Sequence, residues 1–177
     1  MKGKWISATI TAACLSVFVV NGARGADMGM AKPGSQEFKR VKSLVGSWEG
    51  TSSSQTHGEQ PAKVDYRLTS GGSALVETLF AGTPHEMMSI YHDRAGVLTM
   101  THYCMLGNQP ELDLTKGKSD QLTLEFSPRS AIDEAREPHM HALTVTFVDA
   151  DHITQEWIFY EGGVAKDVTK ITLSRVK

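Results

Sequence analysis

The chain has 177 residues, with 18 basic and 20 acidic side chains, seven histidines and a net charge of −2 at neutral pH. That balance argues against a basic nucleic-acid surface and leaves no polybasic patch for a membrane. The length suits a short leader followed by one domain of about 150 residues, large enough to bury a core.

Lys2 and Lys4 precede an apolar run from Trp5 to Val20, and small residues follow from Asn21 to Ala26. This order reads as a secretory signal peptide cleaved after Gly25, with Ala23 and Gly25 at the two small-residue positions. The apolar run, about 16 residues, is short for a bilayer core, so no membrane span is expected after cleavage. The expectation is a bacterial periplasmic or secreted protein. Cleavage takes Lys2, Lys4 and Arg24 and no acid, leaving 15 basic and 20 acidic side chains, a net of −5. It also takes Cys14 and leaves Cys104 as a single thiol in an oxidising compartment, where unpaired cysteines are unusual.

Residues 26–45 read as a leader and a short helix. Gly29, Pro33 and Gly34 keep the first part loose, and Ser35 is placed to cap the helix. Phe38, Val41, Leu44 and Val45 share one helical face, which predicts a two- to three-turn element that braces something larger.

From Gly46 the apolar period changes to two, and residues 46–177 form the predicted domain. Val64, Tyr66 and Leu68 alternate with polar neighbours, and Gly71-Gly72 marks a turn. Strands are predicted over 74–80, 87–92, 97–105, 121–126, 138–148, 153–160 and 164–176. Residues 111–115 are a possible extra strand. Asp93 to Gly96, Asp149 to Asp151 and Glu161 to Gly163 supply turn chemistry. Nine or ten strands at this spacing, with almost no room for helical crossovers, predict an all-β sandwich or barrel.

Gly46-Ser47-Trp48 opens the first strand directly after the short helix, and Arg175 lies near the end of the last. This resembles the calycin arrangement of lipocalins and their small relatives. There a G-x-W motif starts the first strand and an Arg from the last strand packs over the Trp. The resemblance implies an antiparallel up-and-down barrel of about nine to ten strands, with Trp48 and Arg175 as structural residues sealing one end by a cation–π contact. The segments Gly82 to Met87, Thr101 to Cys104, Gly107 to Pro110 and His139 to His141 also resemble an exported, lipocalin-like bacterial family of unknown function. That likeness implies a fold and assigns no activity.

Side-chain alternation suggests where chemistry lies. On 97–104, Leu98, Met100, His102 and Cys104 share the face expected to point inward. On 138–148 the larger apolar set, Leu143, Val145 and Phe147, shares its parity with His139 and His141, so both histidines are expected inside as well. An imidazole–thiolate and imidazole–imidazole quartet suits Zn²⁺ or copper. If 111–115 is a strand, the two pairs sit three strands apart, about 14 Å along the sheet; if it is loop, convergence is easier. Glu77, between Leu75 and Leu79, is expected to be buried, as a base or as a partner orienting an imidazole. Tyr91, Gln155 and Glu156 are further inward candidates and His85 a candidate at the pocket rim. There is no phosphate loop, no G-x-S-x-G elbow and no H-E-x-x-H. The expected function is an exported module binding a small apolar or amphipathic molecule in a His/Cys-lined pocket. The alternative is a Zn- or Cu-binding protein, or a metal-dependent enzyme, using the same cluster.

Overall fold

The computed structural model describes residues 34–177. The expected signal peptide and most of the leader lie outside the described residues. Helix α1 spans Gln36–Lys42 and starts as its sequence suggests: the Ser35 hydroxyl accepts the Phe38 backbone N–H at 3.0 Å. Seven residues cannot hold a helix by themselves, so α1 is held by packing. Phe38, Val41 and Leu44 bury against the barrel, and the Ser35 hydroxyl donates to Asp93 Oδ1 at 2.8 Å.

Ten strands follow: β1 Gly46–Ser54, β2 Gly58–Thr69, β3 Ala74–Leu79, β4 Met87–Arg94, β5 Val97–Tyr103, β6 Glu111–Gly117, β7 Gln121–Phe126, β8 His139–Phe147, β9 His152–Glu161 and β10 Val164–Arg175. Each pairs antiparallel with its chain neighbour, and β1 pairs with β10, closing the barrel. The result is an all-β, up-and-down barrel with a short N-terminal helix. Residues 111–115, open in the sequence, belong to β6, which pairs with both β5 and β7. A closed sheet has no exposed edge to pair with other chains.

Strand direction defines the two ends. Helix α1 and the turns β2–β3, β4–β5, β6–β7 and β8–β9 lie at one end; the connections β1–β2, β3–β4, β5–β6, β7–β8 and β9–β10 lie at the other. The helix end is the floor. There the Arg175 guanidinium sits 4.3 Å from the Trp48 ring, and Trp48 pairs directly with Arg175 across β1 and β10. Trp48 Nε1 donates to Leu44 O at 2.7 Å, while Arg175 donates to Val45 O at 2.7 Å and Ser43 O at 2.8 Å. These carbonyls follow the C-terminal end of α1, where a cation is favoured. Gly46 begins this corner at φ +129°, and a Cβ there would stand 3.1 Å from Arg175 Nη1. The glycine of the G-x-W motif thus makes room for the arginine.

Above the floor the core is continuous, from Phe38 and Trp48 through Leu98, Leu124 and Leu143 to Trp157. A ten-stranded barrel is wider than an eight-stranded one, whose interior side chains just fill. The extra width goes unfilled toward the mouth.

Candidate ligand-binding cavity

A cavity of about 400 Å³ occupies the mouth half of the lumen. Its walls are mainly apolar: Leu79, Phe80, Met87, Met140, Trp157 and Phe159. Its rim includes His57, His85 and Asp167, which places His85 where the sequence reading expected it. Phe80 holds φ +53°, a left-handed conformation that a bulky residue adopts only when its surroundings impose it. His102 and Cys104 both line the wall, as the alternation on β5 predicts.

A polar network lies beneath that wall. Tyr66, Glu77, Ser89 and His102 stand in register across β2, β3, β4 and β5, so all four point inward in one row. The Tyr66 hydroxyl donates to Glu77 Oε1 at 2.7 Å, and the Tyr91 hydroxyl to Oε2 at 2.8 Å. Gln155 Nε2 donates to Glu77 Oε1 at 2.5 Å, and Trp157 Nε1 donates to Gln155 Oε1 at 2.9 Å. Ser89 Oγ and His102 Nδ1 are 3.0 Å apart. Every member is buried, which is tolerable because each is bonded.

Burial dominates the electrostatics of this row. It raises the Glu77 carboxyl above its ordinary 4.5, against the pull of hydrogen bonds from Tyr66, Gln155, Tyr91 and Ser89. Burial, with the Glu77 charge beside them, holds both tyrosines well above their usual 10. Burial pushes His102 down to about 4, so its imidazole is neutral at neutral pH. Burial likewise raises the Cys104 thiol, so it rests protonated. His102 Nε2 has no hydrogen-bond partner among the described residues, and the residue lines the cavity. The His102 ring also lies 4.8 Å from that of Trp157.

Glu77 and Tyr91 are therefore interior, as expected, but stand one layer behind the cavity surface. Tyr66, Ser89 and Gln155 complete the network. Parity marks Tyr66, which shares its face with Val64, and Ser89, which shares its face with Met87 and Tyr91; Gln155 is interior as expected, with Ile153 and Trp157, whereas Glu156 beside it takes the opposite face and is exposed.

The expected facing of His139 and His141 is corrected. A β-bulge between Met140 and Ala142 adds one residue to β8, and Met140 lines the cavity while its neighbours do not. Leu143, Val145 and Phe147 stay inside, but the parity carried back from them fails at the bulge. His139 and His141 turn to the outer side, beneath the β7–β8 connection. Because β6 is a true strand, the His139–His141 pair is also three strands from the His102–Cys104 pair. The quartet is not assembled, and no three His, Cys, Asp or Glu side chains among the described residues form a ready ligand set.

Fold and cavity together define a closed ten-stranded antiparallel barrel of lipocalin-like architecture, sealed at one end and hollow at the other. Among solved structures it is similar to the crystal structure of a protein of unknown function from the DUF3598 family of Nostoc punctiforme. The TM-score is 0.52 and the identity 14%, over 77% of this chain and 49% of that one. The likeness is one of fold, and this chain spans about half the length of that protein. No family model and no curated protein matches the chain. No helix among the described residues is long and apolar enough to cross a membrane.

Proposed function

We propose that the barrel binds a small, mainly apolar molecule that enters at the mouth and presents one polar group to His102. One observation carries this reading: a cavity of about 400 Å³ with largely apolar walls ends on the neutral His102 imidazole, whose Nε2 has no hydrogen-bond partner among the described residues. That volume lies within the range of small-molecule sites, where apolar walls supply affinity and a few polar groups fix orientation. The Tyr66–Glu77–Ser89 row holds the His102 ring in place from behind. Cys104, Met87 and Met140 add soft, adaptable surface around the ligand. Export belongs to the same proposal. It is supported by Lys2, Lys4, the apolar run to Val20 and the small residues that follow.

The test is titration with N-phenyl-1-naphthylamine, a neutral apolar fluorophore with one N–H. The expected result is one molecule bound per chain, with emission enhanced on leaving water. Met140→Trp fills the cavity and should abolish the enhancement while circular dichroism keeps its β signature; His102→Gln should weaken it several-fold. No uptake by the wild type, or equal uptake by the filled variant, overturns the reading.

A further inference from the structure

The histidine pair that the bulge turns outward has its own geometry. His139 is fully buried, and its Nδ1 donates to the Glu137 backbone carbonyl at 2.7 Å. A carbonyl only accepts, so the neutral His139 ring carries its proton on Nδ1 and a lone pair on Nε2. That Nε2 lies 3.2 Å from His141 Nδ1. The His141 ring is stacked on Tyr160, with centroids 3.7 Å apart and planes 7° apart, and faces Phe126 at 5.5 Å and 12°. Both rings are thus fixed in orientation before anything binds. Glu134 Oε1 stands 3.7 Å from His141 Nδ1, on a side chain that is half exposed. Glu125 lies close enough to influence the charge on His141.

We propose that His139 Nε2 and His141 Nδ1 seat a divalent transition ion of the zinc type on the outer wall of the barrel, with Glu134 swinging in as the third ligand. Zn–N bonds of about 2.0–2.1 Å across the 3.2 Å gap give an N–Zn–N angle of about 100–106°, close to tetrahedral. The ligand-to-ligand edge of such a site is about 3.3–3.5 Å; Glu134 Oε1 stands 3.7 Å from His141 Nδ1, and its side chain must turn toward His139 Nε2 to complete the set. The Nδ1–H to carbonyl bond of His139 is the outer-shell contact that metal-bound imidazoles ordinarily make. Without metal, one proton lies between the rings, on His141 Nδ1; with metal, His141 carries it on Nε2. Water completes the coordination. The bulge makes the site, because on a regular β8 these rings would point into the lumen. The inference is independent of what the cavity holds.

The experiment is Zn²⁺ titration by calorimetry, with Co²⁺ absorption as a geometric readout, on full-length chain purified without a histidine tag. One ion per chain is expected, with the intense visible bands of four-coordinate Co²⁺. His141→Gln should weaken binding at least 100-fold and leaves the buried His139 undisturbed, which keeps the fold intact. Glu134→Gln, at an exposed position, should weaken it about tenfold. His102→Gln should leave it unchanged. The proposal is overturned by any of three results: no ion bound by the wild type, equal binding in wild type and either wall variant, or loss in His102→Gln in place of His141→Gln.

Discussion

His102 shows how one buried ring shapes the molecule's response to pH. Its pKa falls from 6.5 to about 4 on folding because burial penalises the imidazolium. A depressed pKa means the folded state resists the proton. The stabilisation is complete above pH 6.5 and is lost as the pH falls toward 4. The size is about 3 kcal/mol, from roughly 2.5 pH units at 1.36 kcal/mol each. Glu77 runs the other way: its raised pKa means its contribution is present below 4.5 and is lost as the pH rises through the folded value. The wild type minus His102→Gln difference isolates the histidine. Urea unfolding at pH 7 and pH 4.5 should show that difference shrinking on acidification by about 2–3 kcal/mol. A constant difference would mean that the ring is hydrated in solution. At this scale the sequence was informative. Leu98 and Met100 carry His102 inward by simple alternation, and Leu75 and Leu79 do the same for Glu77. What alternation does not supply is the partner of each group, because Tyr66 and Gln155 meet Glu77 from strands 11 and 78 residues away.

The elements that matter most are the short helix and the two strands it bridges. Arg175 on β10 reaches across Trp48 on β1 to the carbonyls that follow α1. Arg175→Ala should cost about 2–4 kcal/mol, from the cation–π contact and two charge-assisted hydrogen bonds. Arg175→Lys should recover less than half, because an ammonium lacks the planar fork that serves two carbonyls at once. Chemical denaturation at fixed pH checks both; a loss under 1 kcal/mol would show that packing alone holds the helix. Elements were also where the sequence reading failed. On β8 the run Leu143, Val145, Phe147 has a true inward parity, yet extending it to His141 and His139 crosses a bulge. One inserted residue leaves no mark in hydrophobicity, because His141 and Ala142 carry no pattern strong enough to signal a change of phase.

At the scale of the whole barrel, closure depends on the β1–β10 seam. Gly50 pairs with Leu173 there, and a Cβ on it would lie 1.9 Å from the Thr172 backbone oxygen and 2.9 Å from its carbon. Backbone cannot yield as a side chain can, so the two strands would have to part. Gly50→Ala should therefore destabilise by about 3 kcal/mol or more. Its amide exchange should accelerate first in β1 and β10, while β4 and β5 stay protected. Uniform acceleration around the barrel would show that the seam is no weaker than any other pairing. Long-range closure of this kind brings residue 48 beside residue 175, and turns ten individually marginal strands into one cooperative unit.

Read alone, the chain determined its all-β class, the capped helix, nearly every strand and the inward facing of His102 and Cys104. These follow from local alternation and turn chemistry, which any short window contains. Only the tertiary structure decided the reality of β6, the hollow at the mouth, the company of Glu77 and the outward turn of His139 and His141. Each of those depends on register between strands distant in sequence, and a single extra residue in a ladder reverses a face without altering the composition that announces it.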